Sequence, residues 1–233
     1  MLEVSDLCTF YGSSQALFGL SLHIEKGEVI TLLGRNGMGK TTTINSIMGI
    51  VAPASGAISY QQKSIFGLPS LKIAKLGLGL VPEGRQIFPN LTVHENLIAT
   101  AANHQSKSQP WTQQTVLDMF PPLRDRINAM GNLLSGGEQQ MLAIGRALMT
   151  NPDLLILDDA TEGLAPMVRQ DIWASLATLK SNGQAILVVD KNLNDLIKLA
   201  DRHYIVEKGK VVWHGTTSEF TADALVKEKY LGI

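Results

Sequence analysis

Glu28-Val29-Ile30-Thr31-Leu32-Leu33-Gly34-Arg35-Asn36-Gly37-Met38-Gly39-Lys40-Thr41-Thr42 is the stretch that decides the fold. Glu28–Leu33 is a short apolar run that stops at a glycine, which predicts a buried strand. Lys40–Met48 contains neither glycine nor proline and predicts a helix. Between them, Gly34–Thr41 fits G-x-x-x-x-G-K-[ST] at every fixed position. Glycines let the backbone curl so that successive N–H groups point at phosphate oxygens. The helix beginning at Lys40 adds its positive dipole end. Lys40 supplies a point charge for the β- and γ-phosphates, and the Thr41 hydroxyl is a ligand for Mg²⁺. Gly34, Arg35, Asn36, Gly37, Met38, Gly39, Lys40, Thr41 and Thr42 are therefore the candidate residues for a nucleotide's phosphates.

Outward from this loop, strand-like and helical stretches alternate. Leu154–Leu157 and Ala185–Val189 read as buried strands, preceded by helical stretches at Gly136–Thr150 and Pro166–Ser181. That order predicts an α/β fold with a parallel core. The first 25 residues and His203–His214 read as antiparallel, with a hairpin turn at Glu207–Lys210. Thr92 to Met130 reads as helical and polar, with breaks at Ser106–Pro110 and Pro121–Pro122. The expectation is one domain over 1–233, with a helical subdomain at about 84–144 inserted into the core.

Composition narrows the function classes. The chain has 233 residues and a net charge of -1, with no long basic run, so nucleic acid is not an expected partner. The lone cysteine, Cys8, forms no internal disulfide and reads as a small hydrophobe of the first strand. Glu3 and Asp6 interrupt the start, so no signal peptide is expected. No apolar run approaches the roughly 20 residues a membrane span needs. His23, His94, His104, His203 and His214 show no metal-ligand spacing.

Leu154–Leu157 runs into Asp158 and Asp159. Carboxylates at the C-terminal edge of a parallel strand face the crevice where ligands bind in such sheets. Asp158 is the candidate Mg²⁺ ligand, and Asp159 the candidate group that orients or deprotonates the attacking water.

Leu134-Ser135-Gly136-Gly137-Glu138-Gln139-Gln140 stands just ahead of the acidic strand. A serine and two glycines opening a helix make a second anion site. Met141, Ile144 and Leu148 give that helix an apolar face. The heptapeptide resembles the LSGGQ signature of ABC ATPases, and the resemblance covers nearly the whole chain. Tyr11 falls at the family's adenine-stacking aromatic, Val81-Pro82-Glu83 at the Q-loop, and Val189-Asp190-Lys191-Asn192 at the switch position. Within the family, the chain most resembles the second ATPase of branched-chain amino acid importers. That likeness is carried by Val81–Arg85, Phe88–Leu97, Thr161-Glu162-Gly163-Leu164-Ala165-Pro166 and the ending Tyr230-Leu231-Gly232.

The resemblance implies a RecA-like parallel core, an antiparallel β subdomain and an inserted helical subdomain. It implies ATP and Mg²⁺ as cofactors, with Thr41, Asp158 and Glu83 toward the metal. It implies a second ATPase subunit as partner, with Ser135, Gly136, Gly137 and Glu138 serving the other subunit's nucleotide. It also implies membrane permease subunits, a substrate-binding protein acting through them, and a place on the cytoplasmic face of the inner or plasma membrane.

Three positions depart from the family pattern. Asp159 replaces the usual glutamate and is one methylene shorter. Glu83 replaces the Q-loop glutamine and loses an amide donor. Lys191 replaces the switch histidine and can only donate. Lys191 is expected on the γ-phosphate, partly offsetting Asp159, so Asp159, Glu83 and Lys191 form the candidate catalytic set. Other readings stay open. One is a clamping subunit that hydrolyses weakly and needs a heterodimeric partner. Another is the ATPase of a urea, amide or lipopolysaccharide system. A soluble protein of DNA repair is disfavoured, because only about 95 residues separate Lys40 from Ser135 and they lack heptads.

Overall fold

Strands β1 (Leu2–Tyr11) and β2 (Ser14–Ile24) form an antiparallel hairpin that turns at Gly12. This is a computed structural model, and it describes residues 1–232. Next come β3 (Val29–Leu33), α1 (Lys40–Ile47), β4 (Ser55–Tyr60), β5 (Lys63–Ser64), α2 (Ser70–Lys75) and β6 (Leu78–Val81). Then follow α3 (Val93–Ala99), α4 (Gln113–Met119), α5 (Pro121–Asp125) and α6 (Gly136–Leu148). The chain closes with β7 (Leu154–Leu157), α7 (Pro166–Ser181), β8 (Ala185–Val188), α8 (Leu193–Leu199), β9 (Arg202–Glu207), β10 (Lys210–Thr216), α9 (Thr217–Ala222) and α10 (Ala224–Leu231).

Two sheets result. The first is antiparallel, in the order β2-β1-β4-β5. The second runs β10-β9-β3-β8-β7-β6, parallel throughout except for the β10-β9 edge. This is the α/β, RecA-like core expected from the strand–loop–helix order.

The parallel strands are buried on both faces, as their unbroken apolar runs require. Alternate residues serve opposite layers. Ile30, Leu32, Leu154 and Ile156 pack with α1 and the antiparallel sheet. Val29, Leu33, Leu155 and Leu157 pack with α6, α7 and α8. His203 is fully buried in β9, where its Nδ1 lies 2.7 Å from Thr31 Oγ1 of β3 and its Nε2 3.0 Å from Thr217 Oγ1.

Between β6 and β7 the chain is largely helical, and the break expected at Ser106–Pro110 is longer than the sequence predicts. Residues 100–112 form no helix. Pro121–Pro122 does end α4, yet it also opens α5, where Pro121 gives up no intrahelical bond because first-turn N–H groups have no partner. Thr92 and Ser135 cap α3 and α6 through reciprocal bonds with Glu95 and Glu138. Cys8 lies in β1, partly buried.

Candidate active site

The phosphate loop links the C-terminal end of β3 to α1. Gly34 has φ 136°, and a Cβ there would sit 2.3 Å from the Val206 carbonyl oxygen of β9. Gly39, at φ 109°, caps α1 in a left-handed conformation. Both fixed glycines of the motif are thus demanded by the backbone. The Lys40 ammonium donates to the carbonyls of Gly34 (2.8 Å) and Arg35 (3.0 Å), so it lies over its own loop. Burial pulls its pKa below the ordinary lysine value, while Asp159 and Asp158 push back.

A cavity of about 600 Å³ opens beside this loop. Asn36, Gly37, Gly39, Lys40, Thr41 and Thr42 form one wall, and Glu83, Asp158, Asp159 and Glu162 form the wall facing it. A third side comes from Ser14, Gln15, Ala16 and Phe18 of β2, with Lys208 and Gly209 of the β9–β10 turn. The turn is tied in on both sides. The Gly209 N–H donates to Met38 O, and the Phe18 N–H donates to Gly209 O, each at 2.9 Å. Sequence reasoning read Glu207–Lys210 as a turn and nothing more. No local signal places it against a loop some 170 residues earlier.

The acids ahead of Thr161 differ in environment. Asp158 is buried, and its Oδ1 has no hydrogen-bond partner among the described residues. Burial raises its pKa, with the Thr41 hydroxyl pulling the other way. A buried, unpaired carboxylate oxygen beside a threonine hydroxyl offers two hard oxygen ligands, the kind a divalent cation takes. Mg²⁺ therefore fits the residues present. Asp159 is in the left-handed region at φ 55°, a conformation short polar side chains tolerate. Burial and then the neighbouring Glu162 carboxyl push it up to about 6.

In the sequence Glu162 carries no signal beyond its place in the family-like Thr161–Pro166 stretch. The structure places it in the acidic wall of the cavity. Glu83, Asp159 and Glu162 each offer an oxygen within 4.8 Å of the others. Lys191 bonds Glu162, and this contact holds the Glu162 carboxyl below its ordinary value and the Lys191 amine above its own. Lys191 is thus near the site, but its partner is a carboxylate.

Ser135, Gly136, Gly137 and Glu138 line no part of this cavity. Ser135 Oγ accepts from the Glu138 N–H at 3.3 Å, and the Glu138 carboxylate accepts from the Ser135 N–H at 2.7 Å. Gly136 sits against the Arg85 guanidinium, where an added Cβ would meet nitrogen at 3.0 Å. Tyr11 is half exposed at the end of β1, paired with Ser14, and stands outside the cavity wall that Ser14 helps to form.

Residues 17–162 match the family model described as ABC transporter. The chain is 41% identical over 232 residues to the high-affinity branched-chain amino acid transport ATP-binding protein BraG of Pseudomonas aeruginosa, covering all of both chains. It is 34% identical to the lipopolysaccharide export system ATP-binding protein LptB of Escherichia coli, over 99% of this chain and 97% of that one. Among solved structures, a nucleotide-free ATP-binding cassette from an ABC transporter superposes with TM-score 0.86 at 26% identity, over 99% of this chain and 97% of the other. With its phosphate loop and acidic strand facing one cavity, the chain belongs to the ABC transporter family as an ATP-binding, ATP-hydrolysing subunit.

Proposed function

We propose that this subunit drives uptake of branched-chain or related amino acids by an ABC importer. The observation that carries the reading is the convergence of Lys40, Thr41, Asp158 and Asp159 on one cavity in a chain aligned end to end with a branched-chain amino acid transport protein. The lipopolysaccharide reading keeps some support from the 34% relative, which is less similar.

The roles follow from position. Gly34–Thr42 receive the phosphates, with backbone N–H groups and the Lys40 ammonium meeting their charge. Asp158 and Thr41, with Glu83 across the cavity, would hold Mg²⁺, which when bound neutralises charge on the β- and γ-phosphate oxygens. Asp159 orients the attacking water and accepts its proton as the water oxygen bonds to the γ-phosphorus and the bond to the β-phosphate oxygen breaks. Tyr11 stacks on adenine from the hairpin end. Lys191 offers a donor at the γ-phosphate end.

The remaining assignments concern assembly. Ser135–Glu138 line no part of their own chain's cavity, which supports a second ATPase subunit, identical or a sister, presenting this segment to the bound nucleotide. Among the described residues no helix is long and apolar enough to cross a membrane. Attachment at the cytoplasmic face of the inner or plasma membrane would then run through permease subunits fed by a substrate-binding protein. We assign the helical subdomain to about residues 84–144, the stretch that carries α3 to α5 and the opening turns of α6.

The test is steady-state MgATP turnover of the purified chain, with Lys40→Ala as the blank. Turnover abolished by that change supports the assignment. Turnover no higher than the blank, with ATP still bound, would point to a clamping subunit that needs a sister. Leucine uptake by vesicles carrying the permeases and this chain separates amino acid import from lipopolysaccharide export.

A further inference from the structure

We infer that Glu162 is a positioning residue for ATP hydrolysis, and that its carboxylate and the Lys191 ammonium act as one neutral unit at the phosphate end of the cavity. The inference rests on the ATP-hydrolysing reading above and adds a residue to it.

The geometry has two parts. First, the loops that bear these residues are joined by adjacent rungs. Asp190 accepts from the Thr161 N–H and hydroxyl, each at 2.7 Å, and the next residue on each loop makes the Lys191–Glu162 pair. Asp190 also accepts from the Asn192 N–H at 2.8 Å, so Lys191 departs from a fixed backbone. Second, Glu162 stands in the wall that faces Lys40, with Asp159 and Glu83 beside it.

The four carboxylates of this wall, Glu83, Asp158, Asp159 and Glu162, repel a nucleotide's phosphates. Charges this close interact strongly, since the attraction or repulsion falls only as the inverse of distance and a cavity wall screens less than water. Lys191 cancels one of the four. Both members of the pair are half exposed, 57% for Lys191 and 44% for Glu162, so the contact adds little to the stability of the fold. Its effect falls on the site. Glu162 keeps a long, rotamer-rich lysine at the cavity mouth, and Lys191 keeps Glu162 from acting as a bare anion there.

The pair makes a non-additive expectation. Lys191→Met leaves Glu162 uncompensated, so affinity for MgATP falls about tenfold. Glu162→Gln removes the anion, so affinity holds or rises, while kcat falls about tenfold because Lys191 is no longer held in place. The double variant recovers affinity to within about twofold of the parent but keeps the low kcat. Lys191→Arg retains a cation that bonds carboxylates well, so both constants stay within about threefold.

The experiment is equilibrium titration of the full chain with a fluorescent ATP analogue plus Mg²⁺, displaced by ATP, together with turnover of the same samples. The expected result is recovered affinity in the double variant. Equal weakness of Lys191→Met and the double variant would overturn the inference, as would a Glu162→Gln variant matching the parent in both constants. Thermal melting shows whether each variant folds. Failure of the underlying ATPase reading has a different signature, a Lys40→Ala chain that binds and hydrolyses ATP like the parent.

Discussion

Asp190 takes both donors of Thr161, the backbone N–H and the hydroxyl, at 2.7 Å each. Asp190 follows β8 and Thr161 follows β7, two adjacent strands of the parallel sheet. The bonds therefore fasten the loop that carries Asp159 and Glu162 to the neighbouring strand's end.

Thr161 is buried, and Thr161→Val keeps its shape while deleting the hydroxyl donor. A hydrogen bond to a charged group contributes about 1.5–3 kcal/mol, so urea unfolding should show a loss of that order. kcat should fall with it, since the Asp159 loop loses a tether. Unchanged stability and kcat would mean the hydroxyl bond is dispensable.

Asp159→Asn preserves size and removes the proton acceptor. We expect kcat to fall by at least about a hundredfold while ATP affinity stays near the parent's. Single-turnover hydrolysis with equilibrium binding separates the two constants. Hydrolysis within a few-fold of the parent would move the base role to another carboxylate, with Glu162 the first to test.

Gly34→Ala and Gly12→Ala have opposite expectations for space. Both glycines have positive φ, so each change carries strain of about 1 kcal/mol. Only at Gly34 would the new Cβ also meet a carbonyl oxygen, at 2.3 Å, whereas at Gly12 nothing lies within 4 Å. Gly12→Ala should bind ATP normally, and Gly34→Ala should lose binding or fail to fold. Normal binding by Gly34→Ala would show that β3 and β9 can part there.

His203 predicts a pH dependence of stability. Burial holds its pKa at about 4 against an ordinary 6.5. As pH falls through 6.5 the unfolded chain takes up this proton, and the folded chain resists until about 4. The contribution is thus complete above pH 6.5 and lost progressively down to 4, for a total of about 3 kcal/mol. His203→Gln should cost stability at pH 7, because Thr31 and Thr217 lose their ring partner, yet flatten the decline between pH 6.5 and 4. Urea unfolding of both proteins at pH 7 and pH 4.5 checks this, and parallel declines would contradict it.

Much of the core was legible because its signals are local. Glu28–Leu33 and the glycines after it carry their own strand and turn signals, and Pro166–Ser181 is the helix α7 to the residue. Within Thr92–Met130 the break at Ser106–Pro110 carries its own signal, but its extension over 100–112 does not, because polar composition does not separate a helix surface from an irregular connection. The cavity's third wall was not legible. Lys208 and Gly209 meet the phosphate loop because β9 pairs with β3 across the fold, and Phe18 of β2 joins them through its bond to Gly209. Glu162 was passed over for a similar reason. Its significance lies in Lys191, which is 29 residues later and becomes a neighbour only when β7 and β8 pair.

That pairing also sets a dimension. β8 lies between β3, which leads into the phosphate loop, and β7, which leads into Asp158. Neighbouring strands are about 4.8 Å apart, so the interposed strand separates those two ends by roughly 9.6 Å. β8 is in this sense a spacer. A phosphate chain and its cation can stand in that gap, between the lysine and the acids. An insertion or deletion in β8 would alter the gap's floor without touching either motif.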